Sequence, residues 1–388
     1  MRSRRIGWFM AWVLSLVAIS FYGGAISYGL FFGISLIPVV AIIYLGLVYF
    51  RFRIYQEIES RNIVCRQPMP YYFMLHNGEK YAFAGISVRL FSKLSFVEDI
   101  PDDRECQLLP GEEYVCRTKL VCKYRGEYEV GVKEVVVTDF FRLLRFRYRI
   151  PSTIKALVYP RIIQKSELNT LAELADLPGK ESPFGQAYLD AVVRDYVQGD
   201  ALKQIHWKAS AREQKLKSRN YIGEEKTGIT FFCDTKRYYK DIYQYLPLEN
   251  QILETLLALG FFWAEKNTPF TVYFSSNKIN RLHVESVKGF DTFYETVAHV
   301  MFDEKEETEK CFIDMLKLGA LSDAKFFIGI LHELSEKVMG MLEELAATGT
   351  IVLLYAITDE DMETYVRRGN DRLKVIPIPV QAELEEVL

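Results

Sequence analysis

The sequence predicts a doubly wound α/β domain with a parallel sheet, preceded by an all-β, sandwich-like domain and an N-terminal transmembrane helical hairpin. Three observations carry this. Residues 6–50 contain no charged side chain. Residues 54–160 form short β-branched and aromatic runs punctuated by turn residues. From residue 228 onward, strand-like and helix-like patterns alternate, which is the signature of strands joined by crossover helices.

The hairpin comes first. Ile6–Tyr22 is one apolar run and Leu30–Phe50 a second. At about 1.5 Å per residue the second is ~31 Å long, matching a hydrocarbon core of ~30 Å. Gly23-Gly24 and Gly29 punctuate the connection, and Pro38 falls inside the second run. A cleaved signal peptide is the rival for the first run, but a full second span follows at once and no small-x-small site ends the first. Arg2, Arg4 and Arg5 precede the first run, Arg51 and Arg53 follow the second, and the connection is uncharged. Cationic flanks stay inside. The expectation is a multi-pass protein of the cell membrane with its soluble part cytoplasmic.

Residues 54–160 supply the β-domain. Tyr71–Leu75, Ile86–Leu90, Tyr114–Cys122 and Val132–Val137 read as strands, with His76-Asn-Gly, Pro110-Gly and Tyr124-Arg-Gly as turns. Residues 161–227 form a linker and a charge-rich segment that includes Arg194–Arg212. There Gly199 reads as a turn and Asp200 as the N-cap of a helix reaching Arg212. Residues 228–388 form the α/β domain. Its strands are Ile229–Asp234, Phe270–Phe274, Lys325–Leu331, Ile351–Ile357 and Lys374–Ile378, with Pro377 marking a sheet edge. Its helices are Leu248–Lys266, Phe290–Phe302, Cys311–Leu318, Glu333–Ala347 and Glu360–Arg368. Asp303–Lys310 reads as a solvated, charged loop.

Composition bounds the partners. Across 388 residues the net charge is −3, so no global basic excess points to nucleic acid. The six cysteines show neither Cys-x-x-Cys nor zinc spacing, and read as reduced thiols of a cytosolic part. No Gly-x-x-x-x-Gly-Lys-Ser/Thr loop is present, which argues against a nucleotide hydrolase.

The run Tyr196…Gly199-Asp200…Ile205…Trp207-Lys208-Ala209-Ser210-Ala211-Arg212 resembles the signature of domain-of-unknown-function family 58. These are membrane-anchored bacterial and archaeal proteins with a von Willebrand factor A-like domain. Many are encoded beside MoxR-type AAA+ ATPases and transglutaminase-like proteins. The resemblance implies that the α/β domain is von Willebrand A-like. It implies architecture more than activity, and suggests a MoxR-type ATPase as protein partner. The membrane anchor, spacer and interaction-type domain, with no recognisable reaction centre, point to a non-enzymatic scaffold or adaptor without a cofactor. Arg194, Asp195, Tyr196, Gly199, Asp200, His206, Trp207, Lys208, Ser210 and Arg212 are the expected signature or partner-binding residues.

Two chemical readings compete with the scaffold. Metal-binding von Willebrand A domains carry Asp-x-Ser-x-Ser at the end of their first strand, whose oxygens suit a hard cation. This chain has Asp234-Thr235-Lys236-Arg237-Tyr238, with only the aspartate retained. The expectation is a degenerate site without metal, Asp234 pairing with Lys236, Arg237 or the signature segment. In the second reading a hydrolase uses His206 as base, Ser210 one turn on as nucleophile and Asp200 as orienting acid. No strained Gly-x-Ser-x-Gly elbow exposes that serine. An ion network of Arg194, Asp195, Asp200, Lys208 and Arg212, anchored by Trp207, explains the segment without chemistry.

Overall fold

The computed structural model describes residues 2–59, 63–99, 105–150, 153–164, 191–195, 210–212, 215–221, 228–275, 280–305, 307–317, 321 and 324–388. The chain divides into two compact units, Met1–Arg161 and Ile162–Leu388.

The first unit opens with helices α1 (Arg2–Tyr22) and α2 (Ala25–Arg51). Gly23 and Gly24 turn the chain at φ 56° and 98°, where a Cβ would be strained. Both helices are long and apolar enough to cross a membrane, with mean hydropathies of 1.5 and 2.5. Indoles tie them together: Trp8 Nε1 donates to the Ile34 carbonyl at 3.1 Å and Trp12 Nε1 to Ser35 Oγ at 3.0 Å. Helix α2 starts five residues before the apolar run that predicts it. One face of its last turns is covered, while Leu47 and Phe50 stay exposed. Tyr44, Leu45 and Val48 are buried, as is Phe52 beyond the helix, and Tyr49 packs edge-on against Phe146 and Tyr148.

Eleven strands complete this unit among the described residues: β1 (Arg53–Ile58), β2 (Ile63–Val64), β3 (Pro68–His76), β4 (Phe83–Leu90), β5 (Ser95–Val97), β6 (Glu105–Leu108), β7 (Glu113–Cys122), β8 (Gly126–Val130), β9 (Val132–Thr138), β10 (Arg145–Arg149) and β11 (Ile154–Tyr159). They form sheets of order β1-β3-β7-β5, β10-β9-β4-β6 and β2-β11-β8. Alternation sets which side is inside. In β3, Tyr71, Phe73 and Leu75 are buried while the residues between them are partly exposed. Gly131, at φ 83° between β8 and β9, leaves room for the Tyr71 hydroxyl. A Cβ there would lie 2.7 Å from that oxygen.

The second unit begins with the antiparallel pair β12 (Ala191–Asp195) and β13 (Lys217–Tyr221). The α/β sheet follows, built from β14 (Gly228–Cys233), α3 (Ile242–Glu265), β15 (Phe270–Phe274), β16 (Asn280–Val284), α4 (Val287–Ala298), α5 (Thr308–Lys317), β17 (Ala324–Leu331), α6 (Glu336–Ala347), β18 (Ile351–Ile357), α7 (Glu363–Arg367), β19 (Leu373–Ile378) and α8 (Leu384–Val387). Its order is β16-β15-β14-β17-β18-β19. All neighbours are parallel except β15 and β16. Pro377 does lie in an edge strand, where its missing N–H costs no ladder bond.

Both faces of this sheet are covered. On β14, Ile229, Phe231 and Cys233 enter one core with α3 and α4, while Phe232 enters the other with α5 and α6. A parallel strand buried on two faces reads as a continuous apolar run, as Gly228–Cys233 does. Helix α3 begins earlier than predicted because the Asp241 side chain accepts from Tyr243 N at 3.1 Å and so caps it, leaving Pro247 inside the helix.

Candidate functional site at the carboxyl edge of the sheet

After β14 the chain crosses to β15 on one side, then returns to place β17 on the other. Strand order therefore reverses between β14 and β17. In open α/β sheets such a switch point opens a crevice outside the carboxyl ends of the strands. Asp234 follows β14 there, and His332 follows β17.

Asp234 is completely buried. Its Oδ1 accepts from Lys236 N at 3.0 Å, Ser275 Oγ at 3.2 Å and Thr308 Oγ1 at 2.7 Å. Its Oδ2 accepts from the Tyr238 hydroxyl at 2.5 Å and, more weakly, from His332 N at 3.5 Å. Five protein donors thus occupy the carboxylate. Burial, with the charge and hydrogen bond of Asp234 behind it, pushes the Tyr238 phenol well above its ordinary pKa. Thr235 backs the arrangement, its N donating to Ser275 Oγ at 2.7 Å.

The expected pairing of Asp234 with a cation needs correcting. Lys236 offers it a backbone N–H, while the Lys236 ammonium sits 4.6 Å from the Tyr238 ring centroid and 3.9 Å from Glu333. Arg237 turns away to Glu249, at 2.7 Å, and covers the Tyr245 ring. The 303–310 segment is also more than a solvated loop. Asp303 bridges Lys236 through backbone bonds, and Thr308 starts α5 with its hydroxyl on Asp234.

A cleft of roughly 540 Å³ opens beside this cluster. Its floor includes Phe232, Tyr238 and Phe312; its rim alternates Lys236, Lys310 and Lys337 with Glu307, Glu309 and Glu333. Lys337 pairs with Glu309 at 2.6 Å, which holds that carboxyl below its usual range. Against the Tyr238 ring, the His332 Nδ1 lies 2.7 Å from the Ile357 carbonyl, so it carries the proton, and Nε2 faces the Tyr239 hydroxyl at 3.2 Å.

These residues do not suit a hard divalent cation. The Asp234 oxygens are already taken by protein donors, the Tyr238 phenol among them, and the Lys236 ammonium brings a positive charge close by. Among the described residues, no group of three or more His, Cys, Asp or Glu side chains converges as a metal site.

Of the expected signature residues, Arg194 and Asp195 lie on β12, opposite Ser218 and Lys217. Tyr196, Gly199, Asp200, His206, Trp207 and Lys208 lie outside the described residues. Ser210 is buried at the end of the predicted helix, and its Oγ accepts from Lys217 N at 2.9 Å. Arg212 is exposed. Ser275, Thr308 and His332 were not foreseen. They follow β15, start α5 and follow β17 respectively, and only the strand order, not any local spacing, brings them to Asp234.

No known protein-family model matches the chain, and no curated protein sequence does. Among solved structures, it is similar to a GH20 exo-β-N-acetylglucosaminidase from Vibrio harveyi in complex with N-acetylglucosamine, at 8% identity over 86% of this chain and 82% of that one, TM-score 0.19. An inactive mutant of the same enzyme gives the same identity, coverage and TM-score. A likeness this slight carries no argument about fold or chemistry.

Proposed function

We propose that this protein is a membrane-anchored, non-enzymatic scaffold whose von Willebrand A-like domain docks a protein partner at the carboxyl edge of its sheet. Helices α1 and α2 are the anchor, spanning the bilayer as a hairpin, with both termini and both units' strands on the cytoplasmic side. The sandwich-like β-domain acts as a spacer. The observation that carries the reading is the occupied carboxylate of Asp234. At the place where an open α/β sheet receives a ligand, this chain has closed the first-strand aspartate with its own Tyr238, Ser275 and Thr308. What remains accessible beside it is a cleft with an apolar floor and a rim of both charge signs. Such a surface matches a folded partner better than a small substrate, because interfaces combine an apolar centre with a polar rim. The resemblance to domain-of-unknown-function family 58 names the class of partner, a MoxR-type AAA+ ATPase.

Calorimetry of the full chain in detergent with Mg²⁺ and Mn²⁺, alongside a panel of generic esters and phosphates, tests the non-enzymatic half. The expected result is no saturable metal site and no turnover. A micromolar site that disappears in Asp234→Ala, or hydrolysis lost in His206→Ala, contradicts it.

A further inference from the structure

Between β9 and β10 the chain makes a tight turn over residues 139–144. Asp139, 2% exposed, fixes it from inside: its carboxylate accepts from Phe141 N at 3.0 Å and Leu144 N at 2.6 Å. Arg142, at φ 55°, is held by Glu105 through both carboxylate oxygens. The rigid turn nevertheless displays two large apolar side chains, Phe140 at 60% and Phe141 at 50% exposure. In a water-facing hairpin such a pair is costly, and contiguous exposed apolar surface marks an interaction site.

The helices show what covers it. Arg5 Nε of α1 donates to the Leu143 carbonyl at 2.6 Å, and the Phe140 ring lies 4.4 Å from the Tyr44 ring of α2. The tip is therefore level with Arg5 and Tyr44. Beyond that level one face of α2 is covered by the strands, while Leu47 and Phe50 stay exposed. On the tip's far side, Ile6, Phe9, Ile42 and Ile43 are more than half exposed, while Leu45 and Val48 are buried against the strands. From Ala25 to Ile43 helix α2 rises ~28 Å, about one hydrocarbon thickness. The strand leaving the tip, β10, carries Arg145, Arg147 and Arg149 on one face, all exposed and without a carboxylate partner among the described residues. Arg2 and Arg4 are exposed at the same end of α1.

We infer that the β9–β10 hairpin is a membrane-interface wedge. Phe140 and Phe141 dip into the headgroup–acyl boundary of the bilayer that α1 and α2 cross, and the β10 arginines lie over its anionic headgroups. Aromatic rings favour that boundary, and basic side chains near it are attracted by anionic lipid. The wedge gives the anchor a third contact with the bilayer and fixes the tilt of the first unit against it. The inference rests on the helices being membrane spans, and its test separates the two.

The full chain is reconstituted into phosphatidylcholine–phosphatidylglycerol vesicles containing lipids brominated near the headgroup end of the acyl chain. With Trp207 and Trp263 replaced by Phe, quenching of the native Trp8 and Trp12 reports the spans. In a background with all four native tryptophans replaced by Phe, Phe141→Trp reports the wedge, and Phe96→Trp, on β5, is the control. Because an interfacial indole sits at headgroup depth, the Phe141→Trp emission falls about twofold while that of Phe96→Trp is unchanged. Equal quenching of the two variants, with Trp8 and Trp12 quenched in the protein that keeps only those two indoles, overturns the wedge and leaves the spans standing. Unquenched Trp8 and Trp12 overturn the spans and the wedge together. Raising the phosphatidylglycerol fraction deepens the Phe141→Trp quenching, and replacing Arg145, Arg147 and Arg149 by Gln removes that response. A response that survives the three substitutions overturns the role given to the arginines.

Discussion

Tyr238→Phe isolates the contact on which the closed site depends. It removes one oxygen and keeps the ring, so the edge-on packing against His332 and the Lys236 ammonium over the ring face both persist. What is lost is a 2.5 Å hydrogen bond to a carboxylate that no water reaches. A hydrogen bond to a charged group contributes about 1.5–3 kcal/mol net, and a buried acceptor that loses a donor bears the desolvation cost as well. Lys236 N, Ser275 and Thr308 still serve the other oxygen, which places the expected loss near ~2 kcal/mol, about a thirtyfold change in the folded-to-unfolded ratio. Denaturant unfolding of the full chain in detergent reads it. Trp263 is the reporter, since it lies in the core cluster against which Tyr238 packs, and Trp8, Trp12 and Trp207 are replaced by Phe. Adding Thr308→Val deepens the effect beyond the sum of the two single changes, because both hydroxyls serve one carboxylate. A Tyr238→Phe change below about 0.5 kcal/mol refutes the reasoning, since it leaves Asp234 free to take an external ligand without loss.

Gly131→Ala introduces a Cβ 2.7 Å from the Tyr71 hydroxyl at a left-handed φ, and should lower stability by ~2–3 kcal/mol; an unchanged thermal midpoint contradicts this. Burial pushes the Cys122 thiol up to about 11 from an ordinary 9.0. A raised folded pKa favours the folded state fully below the unfolded value, so this contribution is complete below pH 9.0 and is lost as the pH climbs towards 11. The loss of stability over that window shrinks in Cys122→Ala, and iodoacetamide at pH 8 modifies Cys311 well before Cys122. Reporters inserted at Gly111 and fused after Leu388 both read cytoplasmic; either one outside the cell removes the proposed orientation.

The α/β sheet was legible because β14, β15, β17 and β18 are largely buried on two faces and so appear as apolar runs. The edge strand β16 was not, since Asn280-Arg-Leu-His-Val284 mixes charge with apolar residues at a border. Strand β10 escaped notice for a related reason: Arg145, Arg147 and Arg149 hide a period-2 pattern whose apolar members, Phe146 and Tyr148, meet a helix rather than a second sheet. The second apolar run misled in a different way. Leu30–Phe50 reads as one segment, yet from Tyr44 onward its buried face packs on strands. Apolar side chains look alike whether lipid or protein covers them. At the candidate site, Asp234 and its loss of hydroxyl neighbours were visible in the sequence. Its true partners were not, because Ser275, Thr308 and His332 are separated by tens of residues and meet only through the strand order.

The central claim is that a protein partner docks at the carboxyl edge of the sheet, and a pull-down from native membranes tests it most directly. Wild type, Arg212→Ala and Lys337→Glu are solubilised in mild detergent, checked for folding by circular dichroism and thermal unfolding, and their bound proteins identified by mass spectrometry. Wild type is expected to recover a MoxR-type AAA+ ATPase, and Lys337→Glu, which reverses charge on the cleft rim beside Glu309, to lose it while remaining folded. Arg212→Ala loses the same partner if the signature segment shares the docking surface, and keeps it if that segment is structural. A folded Lys337→Glu protein that retains every partner, or a wild type that recovers none, contradicts the claim.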